Sequence, residues 1–410
     1  MKDRYVAQLD PTFTPLKVIE EAARCLLCHD APCSQACPAQ TQPDRFIRSV
    51  YFRNFKGAAQ TIRENNALGA VCARVCPTEK LCEAGCSRSS IDEPIKIGKI
   101  QQYVTDFEQS TGMKVYAPGN KKLGKIAIVG SGPAGLQAAV SLNQLGYDVT
   151  IYEKEAQAGG WLRYGIPEFR LSNTIVDQEI DRIKETGVTI ALGKEAGKDI
   201  TLEQLKKDNL AVLVAVGFSY GNVLPMFENN ARVETAVDFL ADAKTKQGKI
   251  NVPKTALIIG GGDVAMDAAT TLKAVGCESV TCVAREEFNE FLASKHELEI
   301  ARSMNISIID GFTPVQVKDN EVTFEHVRQK NRLSVVAEKI ILAVGQRAQL
   351  DGFAPVTHER NIVQTKQYQT NDPQVFAAGD IVQGDKTVVY AVKTGKEAAK
   401  AIHQYLQGGK

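Results

Sequence analysis

Residues 25–40 read CLLCHDAPCSQACPAQ, and residues 71–86 read VCARVCPTEKLCEAGC. These two stretches hold eight of the chain's ten cysteines: Cys25, Cys28, Cys33, Cys37, Cys72, Cys76, Cys82 and Cys86. The first four are spaced C-x2-C-x4-C-x3-C-P and the second four C-x3-C-P-x4-C-x3-C. An iron–sulfur cluster needs soft ligands, most readily three thiolates on one tight turn completed by a distant residue. Pro38 after Cys37 and Pro77 after Cys76 interrupt helix propagation and help turn those thiols toward a second centre. Two other readings compete. Sets of four cysteines also fit tetrahedral zinc, though zinc sites more often use paired C-x2-C units. Unligated core cysteine is common singly, but eight in one short block are not.

Composition narrows the setting. A chain of 410 residues holds two or three domains, each with its own core. A formal charge of +1 leaves no broad electrostatic footprint for nucleic acid or membrane. No apolar run approaches the roughly 18 residues of a membrane helix. The start, MKDRYVAQLDPTFTPL, has no apolar h-region, so a secretory signal is not expected and a cytoplasmic location is. In a reducing compartment a dense cysteine block reads as metal ligation rather than disulfides.

Outward from the cysteines, residues 1–24 are expected to form a lead-in helix, because LKVIEEAARCLLC carries apolar residues at helical spacing. FIRSVYFRNFKGAAQTIRENN reads as a helical bridge between the cysteine groups, and IDEPIKIGKIQQYVTDFEQS as a turn and another helix. The polar TGMKVYAPGNKKLGK is a linker. At 125 the pattern changes to strand, glycine turn, helix, strand, and this unit repeats from TALIIGGGDVAMDAA onward. LAVLVAVG (210–217) and EKIILAVG (338–345) mark the same point in the two units. VETAVDFLADAKTK is read as helical, and the chain closes with strand, turn and a final helix. The domains expected are an α-helical one over 1–118, a nucleotide-binding one over 119–235 plus 346–410, and a second over 236–345.

The first glycine turn is Gly130, Ser131, Gly132, Pro133, Ala134, Gly135. Its glycines let backbone approach a pyrophosphate resting on the helix N-terminus. Glu153 ends the next strand, where a carboxylate accepts a ribose hydroxyl. The second turn carries Gly260, Gly261, Gly262, Asp263 and Ala265, the GxGxxA variant. Its following strand ends in Arg285 and Glu286. Arg285 alone suits a 2′-phosphate, but Glu286 repels one and suits a free ribose diol, so NADH is expected over NADPH. A solvated helix start is the plainer account of Glu286.

Several runs then resemble known families. CLLCHDAPCSQACP, VCPTEKLCEAGC and IGKIQQ are similar to the N-terminal half of dihydropyrimidine dehydrogenase and to the glutamate synthase small subunit. The resemblance implies two [4Fe-4S] clusters, one on Cys25, Cys28, Cys33 and Cys86, the other on Cys37, Cys76, Cys82 and, unusually, Gln101. Cys72 is left over as a packed thiol. EAQAGGWLRYGIPEFRL resembles the flavin-wrapping segment of two-dinucleotide-binding-domain flavoproteins of the glutathione reductase type. It implies FAD, with Gly160 and Trp161 along the cofactor and Arg170 in contact with it; a surface salt bridge is the alternative for Arg170. VFAAGD is the second flavin mark, bringing Gly379 and Asp380 to the ribityl chain. The helix starting near Thr387 would aim its positive end at the isoalloxazine. Gly345 is expected on the nicotinamide side. The fold expected is an α-helical iron–sulfur domain followed by an α/β flavoprotein with FAD- and NAD-binding domains.

Hydride carries two electrons and iron–sulfur clusters take one at a time, so FAD is expected to convert between them. No general base is named, and no hydrolase constellation is present. Cys277 and Cys282 do not form the C-x-x-C dithiol a thioredoxin reductase needs. The chain leaves no room for a substrate barrel. The resemblance to the small subunit of two-chain bacterial dihydropyrimidine dehydrogenases implies a PreA-type partner subunit carrying FMN and iron–sulfur centres, which would reduce uracil or thymine. Two rivals remain: an NADPH-dependent glutamate synthase small subunit, and an NADH diaphorase with a zinc-stapled interaction module.

Overall fold

A computed structural model describes residues 5–7, 11–117 and 119–408. Parts of the lead-in helix and of the linker, residues 1–4, 8–10 and 118, lie outside the described residues. The chain divides into two compact units. One holds the described chain from Pro11 to Leu162, then Asn173–Gly217 and the stretch from Gln349 on. The other holds Arg163–Ser172 and Phe218–Ala348, with Tyr5 from the N-terminus.

The first unit begins as a helical layer. The lead-in helix spans Pro15–Ala23, started by Thr14, whose hydroxyl accepts the Lys17 N–H, and by proline at the first position. It stops before the cysteines, with Leu27 at φ 52° in the turn that follows. The expected bridge is two helices, Pro43–Tyr51 and Phe55–Asn65. They break because Arg53 takes φ 60° and Asn54 caps the second helix through the Gly57 N–H. Gly69–Val75 and the 14-residue Ile97–Ser110 helix complete the layer. Their apolar faces meet in a core of Val18, Phe46, Val50, Ile62, Ile100 and Val104. The same unit continues into a five-stranded parallel sheet, ordered Val375–Ala377, Ala211–Val214, Lys125–Val129, Asp148–Tyr152, Thr189–Ala191. The Pro133–Gln144 and Val388–Leu406 helices pack on it and against each other.

The second unit repeats this plan. Its parallel sheet runs Val233–Thr235, Lys339–Leu342, Thr255–Ile259, Ser279–Val283, Ser307–Ile309. Each AVG segment lies where the internal repeat places it, beside the first strand of its own sheet: Ala215 N–H donates to the Val129 carbonyl and Ala343 N–H to that of Ile259, both at 2.8 Å. The stretch read as wholly helical opens with the Val233–Thr235 strand, and its helix is Ala236–Thr245. A three-stranded antiparallel sheet, Phe312–Lys318, Glu321–His326 and Arg332–Val336, is inserted before the last parallel strand. Its strands alternate apolar and polar residues (VTFEHV, LSVV) about a turn at Asp319 and Asn320, the local signal from which a hairpin is legible.

Candidate functional site

Both glycine turns are shaped by the same close approach. A Cβ on Gly130 would stand 2.4 Å from the Ala215 carbonyl oxygen, and one on Gly260 would stand 2.4 Å from that of Ala343. Both glycines also have positive φ, 103° and 141°, so no other residue fits. The middle glycines differ: Cβ atoms on Gly132 or Gly262 would meet nothing within 4 Å. That is backbone facing open space at a helix N-terminus, the form a pyrophosphate needs.

Around the first turn, Glu153 is buried and accepts both the backbone N–H and the hydroxyl of Ser131. The Ser131 hydroxyl oxygen in turn accepts the Gly159 N–H at 3.0 Å. Gly160 lies so close that its Cβ would be 2.9 Å from the Gly132 Cα. Trp161 opens the next short helix. Gly379 (φ 80°) and Asp380 lie on a 3-10 turn, with the Gly379 N–H donated to the Thr394 hydroxyl at 2.9 Å. Thr387 is the N-cap of the Val388–Leu406 helix, yet its hydroxyl is buried without a hydrogen-bond partner among the described residues. An orphan hydroxyl at a helix N-terminus fits a bound cofactor atom.

Arg170 is held by two carboxylates. Its guanidinium bonds Asp267 at 2.6 Å and Glu297 at 2.8 Å, and both carboxylates are buried. This corrects the exposed salt bridge: the partner carboxylates are buried. The sequence could not show it, because the carboxylates arrive from about a hundred residues downstream.

Around the second turn, Asp263 accepts the Ser294 N–H at 2.8 Å, and Ala265 is fully buried. Glu286 reaches back over the glycines: its Oε2 lies 3.5 Å from where a Gly261 Cβ would be. Arg285 is 73% exposed and only loosely paired to it, at 3.7 Å. Gly345 takes φ 97°, and its carbonyl accepts the Asn222 N–H at 3.1 Å. Cys282 lies buried in its strand, its thiol on the Gly260 carbonyl. Cys277 is likewise buried against backbone carbonyls.

The eight N-terminal thiols fall into two groups. Cys25 lies near Cys28 and Cys86, and Cys33 near Cys25 and Cys86. The Cys28 thiol contacts the Ser87 hydroxyl at 3.5 Å. Burial, then crowding by Cys86 and Cys25, pushes the Cys33 thiol up to about 11. The second group rings a cavity: Cys37, Cys72, Cys76, Cys82 and Gln101, with Val389. The Cys72 contact and burial hold the Cys76 thiol well above its usual value. Burial and Cys37 do the same to Cys82. Thiols that disfavour each other's ionised forms are a set awaiting positive charge, which iron supplies. Gln101 is buried, and its amide nitrogen donates to the Gly69 carbonyl at 2.8 Å, so the amide oxygen is the end turned the other way. Cys72, read as a bystander, lines this cavity too. Among the described residues no three metal-donor side chains close up on a single ion. Thiols ringing a space suit a cluster.

Residues 2–113 match the family described as dihydropyrimidine dehydrogenase domain II, 4Fe-4S cluster. Residues 124–395 match pyridine nucleotide-disulphide oxidoreductase. The chain is 66% identical, over 407 residues, to the NAD-dependent dihydropyrimidine dehydrogenase subunit PreT of Escherichia coli O157:H7, covering 99% of this chain and 98% of that one. It is 64% identical to the same-named subunit of Salmonella typhimurium (strain LT2), with coverage of 99% and 98%. Among solved structures it is similar to T. acidophilum thioredoxin reductase, with TM-score 0.56 and 20% identity, covering 68% of this chain and 97% of that one. That last likeness shows the fold.

Proposed function

The chain belongs to the family of PreT subunits of NAD-dependent dihydropyrimidine dehydrogenase, and from that premise we propose that it is the electron-input subunit of such an enzyme. It is an oxidoreductase with iron–sulfur, FAD and NADH as its cofactors. NADH delivers electrons here, and a partner subunit carrying FMN and iron–sulfur centres uses them to reduce uracil or thymine to the 5,6-dihydropyrimidine. The joint reaction is NADH + H⁺ + uracil giving NAD⁺ + dihydrouracil. Bound FAD supplies the conversion between hydride and single electrons.

The chain's own residues bind, orient and insulate. Gly130, Ser131, Gly132, Pro133, Ala134 and Gly135 cradle the FAD pyrophosphate, Glu153 holds a ribose, and Gly160, Trp161, Gly379, Asp380 and Thr387 complete the pocket. The loop from Gly260 to Ala265 cradles NADH, with Glu286 on its ribose diol and Gly345 near the nicotinamide. Cys25, Cys28, Cys33 and Cys86 hold one [4Fe-4S] cluster, and Cys37, Cys76, Cys82 and Gln101 the other. By function the chain has three parts: the iron–sulfur domain over 1–118, the FAD domain over 119–235 plus 346–410, and the NADH domain over 236–345. No helix among the described residues is long and apolar enough to cross a membrane, and we place the enzyme in the cytoplasm.

One observation carries the reading. The helix capped by Thr387 at the flavin pocket puts Val389, two residues later, on the wall of the second thiol cavity. Lys396 of the same helix donates to the Ala39 and Asn65 carbonyls at 2.9 and 3.1 Å, tying it to the loop that follows Cys37. One rigid element thus serves both sites, as a flavin-to-cluster electron step requires. The test is anaerobic purification together with the co-eluting partner, followed by cofactor analysis and uracil-dependent NADH oxidation. Iron, acid-labile sulfide, flavin and uracil-dependent turnover are expected. Stoichiometric zinc without sulfide, or co-purification with a glutaminase chain and no FMN protein, defeats the proposal.

A further inference from the structure

Asn66 stands at the corner between the Phe55–Asn65 and Gly69–Val75 helices. It is 0% exposed, and it is one of the residues lining the cavity ringed by Cys37, Cys72, Cys76, Cys82 and Gln101. Its backbone N–H donates to the Ile62 carbonyl at 2.9 Å, which seats the residue on the end of the first helix. Its Oδ1 accepts the Leu68 N–H at 2.9 Å, which seats it on the start of the second. The Leu68 bond also decides which end of the amide is which, since a backbone N–H must face an acceptor. The amide nitrogen is therefore turned away from Leu68. There Nδ2 is buried with no hydrogen-bond partner among the described residues. Buried amide donors are nearly always satisfied, so an orphan on a residue lining a cofactor cavity calls for an acceptor the protein does not itself provide.

We propose that the Asn66 amide donates a hydrogen bond to a sulfur of the [4Fe-4S] cluster held in this cavity, and so raises that cluster's reduction potential. The inference rests on the two-cluster reading above. Inorganic sulfide and thiolate sulfur are both acceptors, and hydrogen bonds to them are among the factors that set cluster potentials. Reduction adds negative charge to the cluster. A fixed N–H dipole aimed at that charge stabilises the reduced form more than the oxidised one, which moves the potential upward. Thr41 already serves one thiol, with its hydroxyl 3.1 Å and its backbone nitrogen 3.5 Å from the Cys37 sulfur. Asn66 differs in that its amide donor meets no acceptor among the described residues. It is thus a positioning residue for charge: it acts on the cluster's electronics without being a ligand.

The experiment is a redox titration of the holoprotein followed by electron paramagnetic resonance, comparing native protein with Asn66→Ser. Serine keeps a side-chain oxygen for the Leu68 N–H and removes the amide donor. One cluster should become harder to reduce by about tenfold in its reduction equilibrium, about 59 mV for a one-electron centre. The other cluster keeps its potential and serves as the internal reference. An unchanged potential in a fully iron-loaded variant overturns the proposal. Should the variant lose iron, the native holoprotein decides. With asparagine selectively labelled with nitrogen-15, pulsed resonance of the reduced protein should show a weak nitrogen-15 coupling to one cluster. Normal cluster signals without that coupling overturn this proposal alone. Native protein with no iron–sulfur signal takes down the two-cluster reading with it.

Discussion

At Glu286 the sequence states an expectation that kinetics can test. Its place at the end of the strand after a glycine turn marks it for a ribose, and the fold carries its carboxylate back over Gly261 while Arg285 points out to solvent. A carboxylate there accepts hydrogen bonds from a diol and repels a phosphate. Glu286→Arg is therefore expected to lower kcat/KM for NADH and raise it for NADPH. A charge-assisted hydrogen bond is worth about 1.5–3 kcal/mol, so the preference should move by at least tenfold. Steady-state kinetics with the two nucleotides measure it, and an unchanged ratio assigns Glu286 to the solvated face instead. Arg170 is the opposite case. Nothing near it in the chain announces Asp267 or Glu297, and its ion pairs exist only once the fold has closed. Gln101 lies between the two: spacing gives no hint of it, the resemblance names it, and the Gly69 carbonyl shows how its amide is oriented.

Elements were legible where local chemistry sets them. The strand–glycine–helix units could be placed because strand, glycine spacing and helix are contiguous in sequence, although the carbonyls that Gly130 and Gly260 meet, on Ala215 and Ala343, arrive from far downstream. The break at Arg53 and Asn54 was harder, because both flanking segments are helical and only a left-handed residue divides them. Helix-on-helix contacts were not legible at all. Gly395, in the last helix, is so close to the Pro133–Gln144 helix that a Cβ would lie 2.2 Å from the Ala134 carbonyl oxygen. Backbone cannot yield as a side-chain tip can. Gly395→Ala should force the two helices apart at a cost of about 1–3 kcal/mol. Because Ala134 belongs to the pyrophosphate turn, the variant should also lose flavin. Thermal melting and bound-flavin absorbance check both effects; wild-type values for both would show that the helices adjust freely.

Across the molecule, the layer of cysteine-bearing helices is fastened by buried charge to the Asn173–Glu185 helix, which carries Glu179. Arg63 donates to Glu108 at 2.7–3.2 Å and to Glu179 at 2.7 Å, and all three side chains are at most 1% exposed. Arg182 adds a 3.2 Å contact to Glu108. Arg63 also holds the Ala67 carbonyl, one residue past Asn66. Removing the cation leaves two carboxylates buried without it. Arg63→Met should cost about 3–5 kcal/mol, and replacing Glu108 and Glu179 by Gln in the same chain should recover much of that. Denaturant unfolding of the single and triple variants measures the difference. A triple variant no more stable than the single would mean that the network's value is geometric rather than electrostatic.

Thiol spacing, glycine turns, the acidic strand ends and the internal repeat are short-range features, each written within a few tens of residues. They point to metal-bound thiolates and to two dinucleotide sites behind them, because soft ligands, tight turns and helix N-termini impose their residue types locally; FAD and the two [4Fe-4S] clusters followed from the resemblance. The burial of Arg170 between two carboxylates, the Arg63 cluster, the seat of Val389 on the thiol cavity and the unanswered amide of Asn66 join residues far apart along the chain. Such contacts depend on which faces meet after folding, and no local rule of residue type or spacing encodes that meeting.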